Sequence, residues 1–173
     1  YLTYLTTFSL IILFVNLYKF NIVDFFFKII IVSILIESAG VIYLVIDDVI
    51  INGNEFLRRN DYRGFFAANI NITAFSLVIK SPVIFYYLFQ ESSNKAKLGF
   101  LYLMIFMTSL SLFFLLTRGA FLAFLIITGI IFTYKLIKEY KIALAKIGIS
   151  IAVMLISFQV ANNIIDSKDS NVI

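Results

Sequence analysis

The sequence predicts an all-α, polytopic transmembrane helical bundle with about six transmembrane helices, and three observations lead there. The 173-residue chain is 62% hydrophobic, against roughly 45–50% for an ordinary soluble domain. Apolar runs of about 20 residues, each enough to cross a hydrocarbon layer roughly 30 Å thick, recur along its length. The runs lack the alternation of polar and apolar residues that marks a membrane β-barrel, and lipid obliges backbone polar groups to bond within each segment.

The apolar segments fall at about 2–18, 26–46, 70–90, 98–116, 119–134 and 142–160. The first, with the turn that follows it, forms a unit over 1–25. The main membrane body covers 26–160, and 161–173 reads as the start of a large external loop. The chain opens on Tyr1 inside an apolar run and closes on Ile173 in a polar one, so it is expected to be part of a longer protein. Within the second segment Glu37 lies near the centre, with Ser33 one turn earlier; within the third, Lys80 lies near the centre. Intramembrane charges usually face the bundle interior and pair, so a structural Glu37–Lys80 contact is expected, with proton coupling as the alternative. Pro82, the single proline, is expected to kink the third helix by freeing the carbonyl one turn before it.

A helix running unbroken from Leu98 to Tyr134 would be about 55 Å long. The chain must therefore turn near Thr117-Arg118-Gly119, and Arg118 is the one charge between those limits. The segment after the turn is about 24 Å long, somewhat short for a crossing, which places Arg118 in a shallow recess beside a helix N-terminus. The alternative is that Arg118 snorkels to the headgroups and marks a helix end. Gly119 and Ala123 form a small-xxx-small pair that permits close helix packing.

Composition removes several chemistries. With no Cys and no His, this stretch of chain holds no disulfide, no thiolate nucleophile, no Ser-His-Asp triad and no His- or Cys-based zinc site. The net charge of +4 is less informative than its distribution. Alternate loops put Lys19, Lys28, Lys95, Lys97, Lys135, Lys138 and Lys141 on one side, which the positive-inside rule makes cytoplasmic. Arg58, Arg59, Arg63 and Arg118, all the arginines of the chain, lie on the other side with Lys168. Topology gains nothing from those arginines. A planar guanidinium suits phosphate or carboxylate, so an anionic ligand is expected at that face.

A second cluster, RRNDYRGFFAANINITAF over 58–75, lies on the same side. Arg63 and Gly64 precede two phenylalanines, and Asn69 and Asn71 stand at a helix start, where asparagine is a favoured cap. Locally an interfacial loop with an aromatic belt explains the stretch equally well. Asn71-Ile72-Thr73 also fits a glycosylation sequon, discounted because it sits at the membrane edge.

Arg63-Gly64-Phe65-Phe66 with Asn69-Ile70-Asn71, followed about fifty residues later by Thr117-Arg118-Gly119-Ala120, resembles the O-antigen ligase and polymerase family of bacterial membrane proteins. Ala74 and Pro82 also stand where that family has a small residue and a proline, and the likeness spans roughly 26–160. Ile70 replaces a usual proline, one extra alanine lies before Asn69, and Thr117 replaces serine. The resemblance implies a metal-independent glycosyltransferase, without cofactor, in the bacterial cytoplasmic (inner) membrane, active at its periplasmic face. Its donor would be a glycan on polyprenyl (undecaprenyl) diphosphate, its acceptor lipid A–core or another lipid-linked glycan, as in lipopolysaccharide and polysaccharide biosynthesis. In ligases the base is a histidine of a large external loop, so no catalytic residue is expected within these residues. Arg118 and Arg63 are expected to hold the diphosphate, with Arg58 and Arg59 as secondary contacts and Gly64, Asn69, Asn71, Thr117 and Gly119 in support. The competing function is a transporter of an anionic solute or lipid-linked sugar coupled through Glu37 and Lys80.

Overall fold

The computed structural model describes residues 22–52, 62, 69–90 and 94–166. It is all-helical, with no strand among the described residues. The helices are α1 (Ile22–Val45), extended by a π-helical turn over Ile46–Ile51, then α2 (Ile70–Lys80), α3 (Pro82–Gln90), α4 (Lys95–Phe114) and α5 (Arg118–Asp166). Among the described residues four helical stretches are long and apolar enough to cross a membrane, which is compatible with a multi-pass membrane protein.

Side-chain contacts give the path of the chain. Tyr87 Oη donates to Asp24 Oδ1 at 2.6 Å and Lys80 Nζ meets Glu37 Oε1 at 2.6 Å, so α2–α3 runs antiparallel to α1. Lys97 shares a cavity wall with Lys28, and Ser111 Oγ donates to the Ser38 carbonyl at 3.2 Å, so α4 runs parallel to α1. The ring of Phe113 lies 5.0 Å from that of Phe121 and 5.1 Å from that of Phe158. In a straight helix residues 121 and 158 would be about 55 Å apart, so α5 doubles back on itself.

The reversal occurs at Glu139, whose φ of −141° and ψ of 49° leave the helical path while both flanks stay helical. Six separate segments are therefore not what the described residues show. Segment 2–18 lies outside them, and the expected helices 119–134 and 142–160 are two arms of one element joined by a single non-helical residue. The polar stretch between them, expected as a loop, winds as helix almost to the bend. The second arm continues to Asp166, past the expected end at 160.

Pro82 does interrupt its segment. Its missing N–H leaves the Val78 carbonyl without a helical donor, and the Ser81 hydroxyl supplies one at 2.8 Å. Helix α2 ends at Lys80 and α3 begins at Pro82.

The packing is inverted relative to a water-soluble protein. Ser38, Ser81, Thr108, Ser111, Ser150 and Ser157 are buried, whereas large apolar side chains such as Ile79, Ile130 and Ile137 face outward, Ile137 at 81% exposure. Small and hydroxylated residues let helix backbones approach and exchange hydrogen bonds, which is how helices associate where lipid removes the hydrophobic incentive. Phe85, Leu88, Met104, Phe114 and Phe124 fill the remaining interior, and Phe132 stands edge-on to Phe85 at 5.4 Å.

Candidate functional site at the Arg118 end

Helix α4 gives way to α5 in three residues. Leu115 ends the first helix, Leu116 takes a left-handed φ of 46°, and Arg118 opens the second. Glycine is the usual residue for such a backbone, because a Cβ crowds the carbonyl there at about 1–2 kcal/mol. Here leucine holds it, half-exposed beside Arg118. Backbone bonds from Leu115 N–H to the Ser111 carbonyl (3.0 Å) and from Leu116 N–H to the Phe113 carbonyl (3.1 Å) close the end of α4.

The turn meets the start of α2. Asn69 is the N-cap of α2, its side chain accepting from the Ile72 N–H at 3.0 Å. Asn71, inside the first turn, has its Oδ1 3.4 Å from the Thr117 hydroxyl, which also reaches the Leu115 carbonyl at 3.2 Å. Gly119 lies next to Phe75. A Cβ built on it would sit 3.6 Å from Phe75 Cζ, an ordinary contact, so helix packing does not demand glycine here and the small-xxx-small reason for it weakens. The two stretches that carried the resemblance thus touch through Asn71 and Thr117, although 46 residues separate them.

Arg118 is exposed and lines an open cavity of about 680 Å³ with Leu112, Leu116, Thr117, Gly119 and Phe158. Among the described residues its guanidinium has no ion pair and no hydrogen-bond partner. Phe113, Phe121 and Phe158 also line a second, almost wholly apolar cavity of about 470 Å³, which runs between α4 and the two arms of α5 past Phe124, Thr128 and Gly129. The buried hydroxyls of Ser109 and Thr128 on its wall have no hydrogen-bond partner among the described residues. The arrangement is a cationic mouth leading into an apolar groove.

Arg58, Arg59, Arg63 and Gly64, the remaining expected ligand residues, lie outside the described residues, as do Lys19 and Lys168. Tyr62, next to Arg63 in sequence, is buried and its hydroxyl bonds to the Asp48 carboxylate beyond α1. Asp48 belongs to the π-helical turn and Val49 beside it is buried. No sequence pattern singled out Asp48 or Tyr62 as a pair. A carboxylate at the end of an apolar helix, fourteen residues from a tyrosine in a polar stretch, is a signal only in hindsight.

Glu37 and Lys80 meet away from this end. Lys80 Nζ donates to Glu37 Oε1 at 2.6 Å and to Ser33 Oγ at 2.9 Å, and Ser76 Oγ donates to both Glu37 oxygens at 3.1 and 3.2 Å. Sequence reasoning gave Lys146 no role. It is buried, and its ammonium donates to the Leu88 carbonyl at 2.7 Å, in the last turn of α3, where cations favour the negative end of a helix. No His, Cys, Asp and Glu group that could hold a metal occurs among the described residues.

Compared with protein-family models, with curated proteins and with solved structures, the chain matches none.

Proposed function

We propose that the full protein is a glycosyltransferase of the bacterial cytoplasmic membrane that transfers a glycan from polyprenyl diphosphate to lipid A–core or another lipid-linked glycan. The observation that carries this reading is the position of Arg118. A guanidinium without a partner among the described residues stands at a helix start, in the mouth of an apolar groove, beside the contact of Asn71 with Thr117 that joins the two motif stretches. A lipid diphosphate has the matching parts, a double anion joined to a long apolar chain. As the sugar–phosphate bond breaks, the diphosphate gains negative charge, and a fixed guanidinium in a water-poor recess stabilises that charge more than bulk water does. The helix N-terminus adds N–H groups of the same polarity. Arg63, with Arg58 and Arg59, would complete the anion site from the neighbouring stretch, and the periplasmic face would be the active one.

The transport alternative rests on Glu37 and Lys80. Their bond to each other and three more with Ser33 and Ser76 support a fixed clamp between α1 and α2 more than a pair that exchanges protons. The deciding experiment gives purified full-length protein in detergent a lipid-diphosphate glycan and an acceptor. Transfer by the wild type, lost in Arg118→Ala and partly kept in Arg118→Lys, is the expected result. Substrate uptake into sealed vesicles with no transfer would overturn the enzyme reading.

A further inference from the structure

The apolar groove below Arg118 carries two hydroxyls that the fold leaves idle. Elsewhere on α5 such groups are satisfied locally. Thr133 donates to the Gly129 carbonyl and Ser150 to the Lys146 carbonyl, each at 2.8 Å, and Ser157 to the Met154 carbonyl at 2.7 Å, the usual habit of serine and threonine within a helix. Ser109 on α4 and Thr128 on the first arm of α5 break that habit. They are buried, at 1% and 4% exposure, they line the groove, and neither hydroxyl has a hydrogen-bond partner among the described residues. Ser38 and Thr108 share that lack but do not line the groove. A buried donor without an acceptor is costly, and at Ser109 and Thr128 the acceptor is missing where a ligand would lie.

Depth decides what could supply it. Counted along the helix, Thr128 stands about 15 Å from Arg118, half of the roughly 30 Å hydrocarbon layer. Ser109 precedes Arg118 by about as many residues as Thr128 follows it, so the two hydroxyls share one level. With a phosphate at Arg118, the polar parts of a lipid stay near the mouth, and no water waits at the middle of a bilayer. The acceptor must therefore belong to the chain itself. A saturated chain has none. An isoprenoid chain carries a double bond in every unit, so a π face falls at the level of the hydroxyls whatever its register. A hydrogen bond to a π face is weak, but here it replaces an unmet donor.

We propose that the groove selects an unsaturated isoprenoid chain over a saturated one, Ser109 and Thr128 donating to its double bonds near the middle of the bilayer. The inference deepens the reading of Arg118, on which it rests for the anionic end of the ligand, and adds the two residues that sort the chain.

The test is native mass spectrometry of the detergent-purified full-length protein titrated with undecaprenyl phosphate or with its fully saturated counterpart, which share headgroup and chain length. The unsaturated lipid should bind about threefold to tenfold more tightly, the scale of one or two weak hydrogen bonds to a π face. S109A/T128V should erase that ratio by improving the binding of the saturated lipid, since no idle hydroxyl is then covered. T133V, which removes a hydroxyl already bonded to its own helix, should keep the ratio. In Arg118→Ala both affinities should fall while the ratio stays. Equal binding of the two lipids by the wild type would overturn the inference. So would a ratio that survives S109A/T128V, because chain stiffness would then be doing the sorting, and so would a ratio lost in T133V or together with Arg118. Affinities that ignore Arg118→Ala would fault the reading of Arg118 instead, while a ratio still erased by S109A/T128V would uphold the selection of the chain.

Discussion

Lys80 and Arg118 are both cations set in apolar sequence, and the molecule treats them in opposite ways. Lys80 is met by a carboxylate and a serine, and that carboxylate is met by a second serine. Arg118 faces an open cavity with no partner among the described residues. A largely buried charge matched by a carboxylate and a hydroxyl is committed to the fold. One left uncommitted at a helix start is available to something else. Hydropathy and residue type are similar for the two positions, so the distinction lies in the surroundings.

The largest expected effect tests the committed side. Glu37→Gln or Lys80→Met alone leaves a buried charge unmatched and should cost about 3–5 kcal/mol. Joining the two substitutions should cost clearly less than the sum, measured as thermal or denaturant unfolding in detergent. Additive losses would mean that the pair is not coupled. On the other side, Arg118→Ala should lower transfer from a lipid diphosphate by about 10²–10³, as removal of one fixed donor to a developing anion does. Its melting temperature should barely move, because nothing in the described fold leans on the guanidinium. A large fall in stability would put Arg118 in the same class as Lys80.

Smaller effects sharpen the contrast at the turn. Leu116→Gly should remove the left-handed strain and stabilise the protein by about 1 kcal/mol. If that strain helps aim Arg118 into the cavity, transfer falls while the melting temperature rises. The smallest expected change is Gly119→Ala. The new methyl would meet only Phe75, at 3.6 Å, so stability should shift by less than about 0.5 kcal/mol, the range of substitutions that strike nothing. A loss of transfer in that folded variant would show a ligand approaching the backbone there.

Much of the architecture is legible in the sequence because bilayer thickness imposes a length on each apolar run. Segment 26–46 becomes α1, 70–90 becomes α2 and α3, and 98–116 becomes α4. The break at Pro82 and the turn before Arg118 follow from backbone chemistry and from length. A reversal between 134 and 142 was legible, but its confinement to Glu139 was not. Three lysines and one glutamate between two apolar runs read as a solvated loop, and composition does not tell whether such a stretch unwinds. Lys146 stayed hidden for a related reason: its partner is a backbone carbonyl of α3, brought near only once α5 has doubled back. Leu116 gave no warning either, since leucine rarely takes a left-handed backbone. At the candidate site, the meeting of Asn71 with Thr117 was foreshadowed by their placement on one side of the predicted topology, whereas the lack of a partner for Arg118 among the described residues needed the fold.

The hairpin of α5 has a consequence for how the protein is made. Its arms, 49 residues in all, would extend about 74 Å if straight, more than twice the hydrocarbon thickness. With a single residue of non-helical backbone between them, the folded arms are held side by side, and the cationic mouth, framed by Phe158 on the returning arm, is completed only when the hairpin has closed.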